Sequence, residues 1–144
     1  MSSVTFGHCT PILRVADLDT SLAYYTGVLG FALDWRDRGF AQVTRGDAAL
    51  MLTQGEQGHP GSWVYFGVSD SDALHVELRG RDALVRHQPT NYPWGARELH
   101  VADPDGNVLR FGSEAVEGEP IGDWLDGAGV RWIPQSDGSW RTAD

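Results

Sequence analysis

The stretch VADLDTSLAYYTGVLGF, residues 15–31, decides the fold because it contains the end of a strand, a whole helix and the turn that follows it. Its apolar side chains recur at helical spacing, which predicts one buried helix face. The residues of this face are Leu18, Leu22, Tyr25 and Leu29. Asp17 or Asp19 can cap the start of the helix, and Gly30 can end it. The preceding run TPILRVAD, residues 10–17, is typical of a strand.

The same order of elements occurs twice along the chain. After the first helix, FALDW, FAQVTRG and AALMLTQ predict three strands, which completes a β-α-β-β-β unit. SWVYFGVSD then predicts a strand, SDALHVELRG a short helix, and ALVRHQ, RELHVA and NVLRFG three more strands. VSD at 68–70 matches VAD at 15–17, and the linker GEQGHPGS at 55–62 separates the copies. The modules therefore span about 8–55 and 61–114.

The predicted fold class is α+β, with two tandem β-α-β-β-β modules that form a curved mixed sheet around a cleft. Residues 1–114 form the predicted domain, and 115–144 form an acidic C-terminal extension. VRWIPQSDGSW in the extension predicts an extra hairpin about its SDG turn. Because the extension contains Trp124, Trp132 and Trp140, we expect it to pack on the domain, where it could plug or roof the cleft.

Composition and charge exclude several classes of function. All eleven basic residues are Arg, so a Schiff-base lysine and a P-loop are excluded, and the net charge is −9. An acidic chain repels nucleic acid and anionic membranes and attracts cationic small molecules, although solubility is an alternative explanation of the charge. We expect a cytoplasmic protein, since MSSVTFGHCT lacks the features of a signal peptide and no apolar run could span a membrane. The single Cys9 cannot form an internal disulfide and is interpreted as a small apolar strand residue.

The two modules, the opening VADLDTSLAYYTGVLGF and the closing DPDGNVLRF resemble the vicinal oxygen chelate superfamily, which contains glyoxalases, extradiol dioxygenases and bleomycin-resistance proteins. The resemblance covers about residues 8–114. It implies that the modules curl their sheets around a cleft, and that the metalloenzymes carry metal ligands at equivalent points of the two modules.

At those points this chain has no metal-binding side chains. The corresponding residues are Thr10, Leu50, Trp63 and Arg110. A catalytic first-row metal needs imidazole, carboxylate or thiolate donors, and Arg110 would place a permanent positive charge where a dication should bind. We therefore expect no metal and no other cofactor.

An enzymatic function is the alternative. A shifted metal site could use His8, Glu98 and His100, or His100 could act without a metal as a general acid or base. Glu98 and His100 share one strand face because side chains alternate with period two. The other interpretation is that they pair with a neighbouring Arg or line the cleft as hydrogen-bonding groups.

Local similarity favours the metal-free bleomycin-resistance branch: LDWRDRGFAQV at 33–43, SWVYFGV at 62–68 and PWG at 93–95. The resemblance implies that Trp35, Phe40 and Trp94 line a groove that binds a flat heteroaromatic group. The complete set of predicted ligand-binding residues is Trp35, Phe40, Trp63, Trp94, Glu98, His100 and Arg110. For Trp63, in an apolar run, a place in the core is the alternative.

Members of that branch dimerise with the groove between subunits, and an open sheet edge favours a homodimer on physical grounds too. The prediction is thus a metal-free homodimer, not an enzyme, that sequesters a bleomycin-type or similar cationic aromatic antibiotic. It has no nucleic-acid or membrane partner. A module that binds an unknown metabolite or a protein is a further alternative.

Overall fold

The first module forms one four-stranded sheet in the computed structural model, which describes residues 3–143. Its elements are β1 (Ile12–Arg14), α1 (Leu18–Ala23), β2 (Ala32–Asp37), β3 (Phe40–Arg45) and β4 (Ala48–Thr53). The strand order is β1-β4-β3-β2, with β1 parallel to β4 and the other neighbours antiparallel. The first strand of the module therefore pairs with its last strand.

The second module repeats this topology. Its elements are β5 (Trp63–Gly67), α2 (Ser71–Leu78), β6 (Leu84–Asn91), β7 (Ala96–Ala102) and β8 (Val108–Glu114). The strand order is β5-β8-β7-β6, and β5 runs parallel to β8. The α+β class and the two β-α-β-β-β modules are confirmed. The mixed sheet is divided into two, one per module, because each first strand pairs within its own module.

The two helices begin at matching aspartates. Asp17 and Asp70 each accept the backbone N–H three residues ahead at 3.0 Å, which confirms that VAD and VSD are equivalent. Asp19, the other candidate cap, instead pairs with Arg36 at 2.6 Å. Gly30 ends the first helix with a φ of 77°, a conformation that favours glycine.

After α1 the helix widens into a π-helical turn, Tyr24–Val28, which the regular spacing did not predict. The Tyr24 hydroxyl donates to the carbonyl of Ala102 at 2.6 Å, and the Tyr25 hydroxyl donates to Asp103 at 2.9 Å. Both acceptors belong to the second module. The wider turn lets two adjacent tyrosines reach it together.

Both sheets bury one face in a shared apolar core. The core residues of β7 and β8 are Leu99, Val101, Leu109 and Phe111. Phe31 and Phe66 join the modules edge to face, with ring centroids 6.1 Å apart. Because side chains alternate along a strand, Glu98, His100 and Arg110 point to the opposite, outward face of the second sheet.

The extension forms a third, three-stranded sheet from β9 (Trp124–Leu125), β10 (Arg131–Pro134) and β11 (Trp140–Thr142). β10 and β11 pair antiparallel about the SDG turn, which confirms the predicted hairpin. Asn91, at the end of β6, attaches the extension. Its side-chain amide donates to the carbonyl of Val116 at 2.7 Å, and its own carbonyl accepts the N–H of Gly122 at 3.0 Å.

The structure corrects the interpretation of Cys9, which is exposed and precedes β1 rather than lying in a strand. None of the helices within residues 3–143 has the length and apolar character needed to cross a membrane. The division of the chain into a domain that ends at residue 114 and an extension stays a prediction.

Candidate ligand-binding site

The outward face of the second sheet carries a row of polar and aromatic side chains. Strand register places Tyr65 beside Arg110, Arg110 beside His100, and His100 beside His87. Trp63 lies on the same face of β5, since it is two residues from Tyr65. The period of two thus brings three of the predicted site residues together, as the sequence indicated for Glu98 and His100.

Glu98 is at the centre of this face and is fully buried. Arg110 donates to both of its oxygens, from Nε at 2.7 Å and from Nη2 at 2.9 Å. The indole N–H of Trp94 donates to Glu98 at 2.6 Å, and Nε2 of His100 lies 2.9 Å from Oε1. This bidentate ion pair explains how a carboxylate is accommodated in a fully buried position. The structure therefore favours the interpretation in which Glu98 pairs with a neighbouring Arg.

These contacts shift the ionisation of the group. Burial acts to raise the pKa of Glu98, but hydrogen bonds from His100, Arg110 and Trp94 outweigh it and lower the pKa to about 2. Burial lowers the pKa of His100 despite the neighbouring carboxylate. At neutral pH, Glu98 and Arg110 are charged, His100 is neutral, and the Nε2–H of His100 donates to Glu98.

His100 has little capacity for acid–base catalysis in this arrangement. It is fully buried, its Nε2–H is used by Glu98, and its Nδ1 has no hydrogen-bond partner in the described part of the chain. A general acid or base has to reach the proton that it transfers. The ring of Trp124 packs edge to face against His100, with centroids 4.9 Å apart.

An aromatic cluster surrounds the ion pair. Tyr92 stacks between Trp94 and His100, with centroid distances of 5.0 and 5.7 Å. Trp124, from the extension, stacks on Trp63 at 5.8 Å and meets Trp94 edge to face at 5.5 Å. The cluster consists of Trp63, Tyr92, Trp94, His100 and Trp124. Trp63 is thus only half-buried and contacts the extension, so it does not belong to the core between the modules.

Arg110 connects the ion pair with the rings. Its guanidinium carbon lies 5.1 Å from the ring centroid of Trp124, 5.3 Å from that of Tyr65 and 5.8 Å from that of Trp94. A cation over several ring faces stabilises both partners. Arg110 therefore holds the extension on the second sheet as well as compensating Glu98.

Trp35 and Phe40 form a separate aromatic pair on the first sheet. Their rings stack with centroids 5.9 Å apart and planes 13° apart, and Trp35 is 40% exposed. Within residues 3–143, neither ring stacks on a member of the aromatic cluster. One chain therefore does not bring all the predicted ligand-binding residues together.

The residues do not fit a catalytic metal. His8 is exposed and precedes β1, and residues 3–143 contain no group of three His, Cys, Asp or Glu placed to bind a metal ion. The shifted site of His8, Glu98 and His100 is therefore not assembled. Arg110 uses both oxygens of Glu98, so that carboxylate is not available as a metal ligand.

The structure also corrects one equivalence between the modules. Leu50, proposed as the counterpart of Arg110, is fully buried in the core. The register pairs Ile12 with Met51 in the first sheet and Tyr65 with Arg110 in the second, so Met51 is the counterpart. Because side chains alternate, the error of one residue changed the predicted face. A thioether in place of leucine does not create a site for a hard metal ion.

Sequence reasoning missed two members of the cluster, Tyr92 and Trp124. The three tryptophans of the extension indicated packing on the domain, and the structure shows that one of them, Trp124, packs on the outward face of the second sheet. Arg86 was missed as well. It donates to the backbone carbonyl of Asp126 at 2.7 Å and lies 5.4 Å from the ring centroid of Trp63, which ties the extension to β6.

Together the fold and the site define a two-module β-α-β-β-β protein whose second sheet presents an aromatic, internally charge-paired face. The chain belongs to the Glyoxalase/Bleomycin resistance protein/Dioxygenase superfamily, whose family model matches residues 5–111. The match confirms the resemblance found in the sequence, and it ends before the extension.

Relatives with known names support the bleomycin-resistance branch. The chain is 29% identical over 116 residues to a bleomycin resistance protein of Klebsiella pneumoniae, an alignment that covers 71% of this chain and 88% of the relative. A bleomycin resistance protein of Geobacillus stearothermophilus is 27% identical over 121 residues, which cover 70% of this chain and 92% of the relative.

A solved structure leads to the same branch. The bleomycin-binding protein from bleomycin-producing Streptomyces verticillus, complexed with copper(II)-bleomycin, superposes with a TM-score of 0.68 at 29% identity. The similarity covers 78% of this chain and 100% of that chain. The remaining part of this chain has no counterpart in that structure.

Proposed function

We propose that this protein is a metal-free, non-catalytic binding protein that sequesters a bleomycin-type or similar cationic aromatic antibiotic. The observation that carries the proposal is the closed Arg110–Glu98 ion pair beneath half-exposed aromatic rings. Rings are available for stacking, whereas the carboxylate is already bound on both oxygens. Such a face binds a flat ligand and offers no free group for its conversion.

The ligand class follows from the rings and from the net charge. Offset stacking adds about 0.5 to 1.5 kcal/mol for each aromatic pair beyond the burial of area. A net charge of −9 attracts a cationic ligand over a longer range. The similarity to bleomycin resistance proteins and to a bleomycin-binding protein supports an antibiotic with both features.

A homodimer is part of the proposal because the aromatic residues of one chain lie on two separate sheets. The edge strand β2 is exposed along its whole length, and Leu33 and Trp35 on it are 49% and 40% exposed. If the first sheet of one protomer faced the second sheet of its partner, Trp35 and Phe40 would lie opposite Trp94. Two-fold symmetry would then create two equivalent grooves.

Calorimetric titration with bleomycin tests this function. We expect saturation at about one drug molecule per chain. Each groove uses the first sheet of one protomer and the second sheet of its partner, so a two-fold dimer has two grooves for two chains. Trp35→Ala and Trp94→Ala should each weaken binding, because each removes a stacking surface from a different sheet. Light scattering of the same samples measures the oligomeric state. A monomeric protein whose affinity for bleomycin is unchanged in Trp35→Ala would contradict the shared groove.

Metal analysis separates binding from the enzymatic alternative. Protein purified without chelator should contain no stoichiometric transition metal, and added chelator should not change the bleomycin affinity. One tightly bound metal ion per chain, or bleomycin modified after incubation with the protein, would contradict the proposal. A cytoplasmic location stays a prediction.

A further inference from the structure

The extension places its three tryptophans on one face of the third sheet. Trp124 on β9 is the register partner of Trp132 on β10. Trp140 lies two residues before Thr142, which is the partner of Trp132 on β11. Because side chains alternate with period two, the three indoles share one face. That face meets the second sheet at Trp94.

An open pocket of about 580 Å³ lies between these surfaces. Its lining residues are Trp94, Arg110, Trp124, Asp126, Trp132 and Trp140. The volume lies within the range of about 300 to 1,000 Å³ that is typical of small-molecule sites. Within residues 3–143, neither Trp132 nor Trp140 stacks on another aromatic ring. Four indoles therefore line open space instead of closing into a core.

The charged side chains in this pocket already have hydrogen-bond partners within the chain. Arg110 is neutralised by Glu98. The carboxylate of Asp126 accepts the indole N–H of Trp132 at 2.9 Å and the N–H of Val130 at 2.8 Å. Stacking on apolar rings is the main interaction that such a pocket offers to a ligand. Its selectivity should depend mainly on the flatness of the ligand, with a smaller preference for a cation because the carboxylate of Asp126 keeps its charge.

We infer that the extension creates a separate ring-binding pocket within one chain, in which Trp132 and Trp140 select a planar aromatic group. This inference rests on the proposed function in that the second sheet carries the ligand-binding face. It differs in needing neither the partner subunit nor the Trp35–Phe40 pair. The family model ends at residue 111, so Trp132 and Trp140 lie outside the matched region.

Fluorescence anisotropy of two flat probes tests the pocket, acridone as a neutral ring system and proflavine as a cationic one. We expect both to bind the full-length protein. The cationic probe should bind somewhat more tightly, because the chain has a net charge of −9, and added salt should reduce this difference without abolishing the binding of either probe. Trp140→Ala should weaken both by about tenfold, the factor expected when a stacked ring and its buried area are lost. Trp140→Phe should recover most of the affinity because it retains a ring.

Val76→Ala is the matched control, since it removes an exposed apolar side chain from α2, outside both aromatic groups. It should bind the probes like the parent protein. Thermal melts show whether Trp140→Ala is folded, and Trp132→Phe provides a second, milder change in the same pocket. Unchanged acridone affinity in folded Trp140→Ala, or displacement of acridone by tetramethylammonium, would overturn the inference.

Bleomycin titration of the same variants separates this inference from the proposed function. Acridone binding without bleomycin binding would support the pocket and refute the antibiotic proposal. Bleomycin binding without acridone binding would overturn the pocket and leave the shared groove. If both bind, Trp35→Ala should weaken bleomycin binding and leave acridone binding unchanged, and a loss of acridone affinity in Trp35→Ala would overturn the separate pocket.

Discussion

The two sheets of this protein share one strand order but present their outward faces differently. On the first sheet, Trp35 and Phe40 stack on each other and Trp35 stays 40% exposed. On the second, a fully buried carboxylate is bound by an arginine, and a third sheet covers the rings. The inward faces determine the fold, so duplicated modules can diverge freely on the outward faces. The first face is therefore open, whereas the second is partly covered by the extension of the same chain.

Among the variants that test this contrast, we expect the largest change in the free energy of unfolding for the loss of the Arg110 side chain. Arg110→Ala leaves Glu98 buried without its bidentate partner, and we expect a loss of about 3 kcal/mol in the free energy of unfolding. Urea denaturation measures it. The matched control is Arg36→Ala, which removes an exposed pair with Asp19 on the first module and should cost no more than about 1 kcal/mol.

A second arginine experiment separates charge from packing. The double variant Arg110→Met with Glu98→Leu removes both charges, so it should recover much of the stability lost in Arg110→Ala. If the double variant is no more stable than Arg110→Ala, an unpaired buried carboxylate is not the cause of the loss.

The pH dependence of stability tests the same group with a somewhat smaller effect. The pKa of Glu98 in the folded protein is depressed to about 2, below its ordinary value of 4.5. Its contribution is therefore fully present above pH 4.5 and is lost as the pH falls towards 2. We expect this step to be about 2 to 3 kcal/mol. The lowered pKa of His100 has the same sign, since the unfolded chain takes up its proton first as the pH falls.

Urea midpoints measured across this pH range, with Glu98→Gln as the comparison, isolate the step. The variant should be less stable at neutral pH and should lose less stability on acidification. Parallel curves for the two proteins would show that Glu98 is not the group responsible.

The smallest effects compare single tryptophans on the two sheets. Trp124→Ala removes the ring that stacks on Trp63 and lies over His100, so we expect a loss of about 2 kcal/mol. Trp35→Ala removes a more exposed ring and should cost no more than about 1 kcal/mol. If urea denaturation shows equal losses in the free energy of unfolding, the packing of Trp124 contributes no more to stability than that of Trp35.

Most of the fold could be predicted from local signals. These signals act within a few residues, so the sequence alone reveals them. They are the capping aspartates Asp17 and Asp70, the terminating Gly30 and the alternating pattern of the strands. The π-helical turn at Tyr24–Val28 could not be predicted in this way, since the hydrogen bonds that accompany it reach from Tyr24 and Tyr25 to the second module. The Leu50 equivalence failed for a related reason, because only pairing with β1 reveals the register of β4.

The candidate site likewise has features that the sequence predicts and features that depend on tertiary contacts. The common face of Glu98 and His100 follows from a period of two in one strand. Their bonds to Arg110 and Trp94 depend on a neighbouring strand and a loop, and the stacking of Trp124 on Trp63 depends on where the extension returns. The roles of Trp35, Phe40 and Trp94 in binding a ligand stay predictions.

The sequence by itself determined the two modules, their helix ends, the acidic charge and the lack of metal-binding residues at the family positions. These properties reside in residue identity and short-range spacing. Only the tertiary structure decided that Arg110 forms an ion pair with Glu98, and that the Trp35–Phe40 pair and the aromatic cluster lie on separate sheets. It also decided that the extension lines a pocket with Trp124, Trp132 and Trp140. Each of these depends on contacts between residues far apart in the chain, which local patterns do not encode.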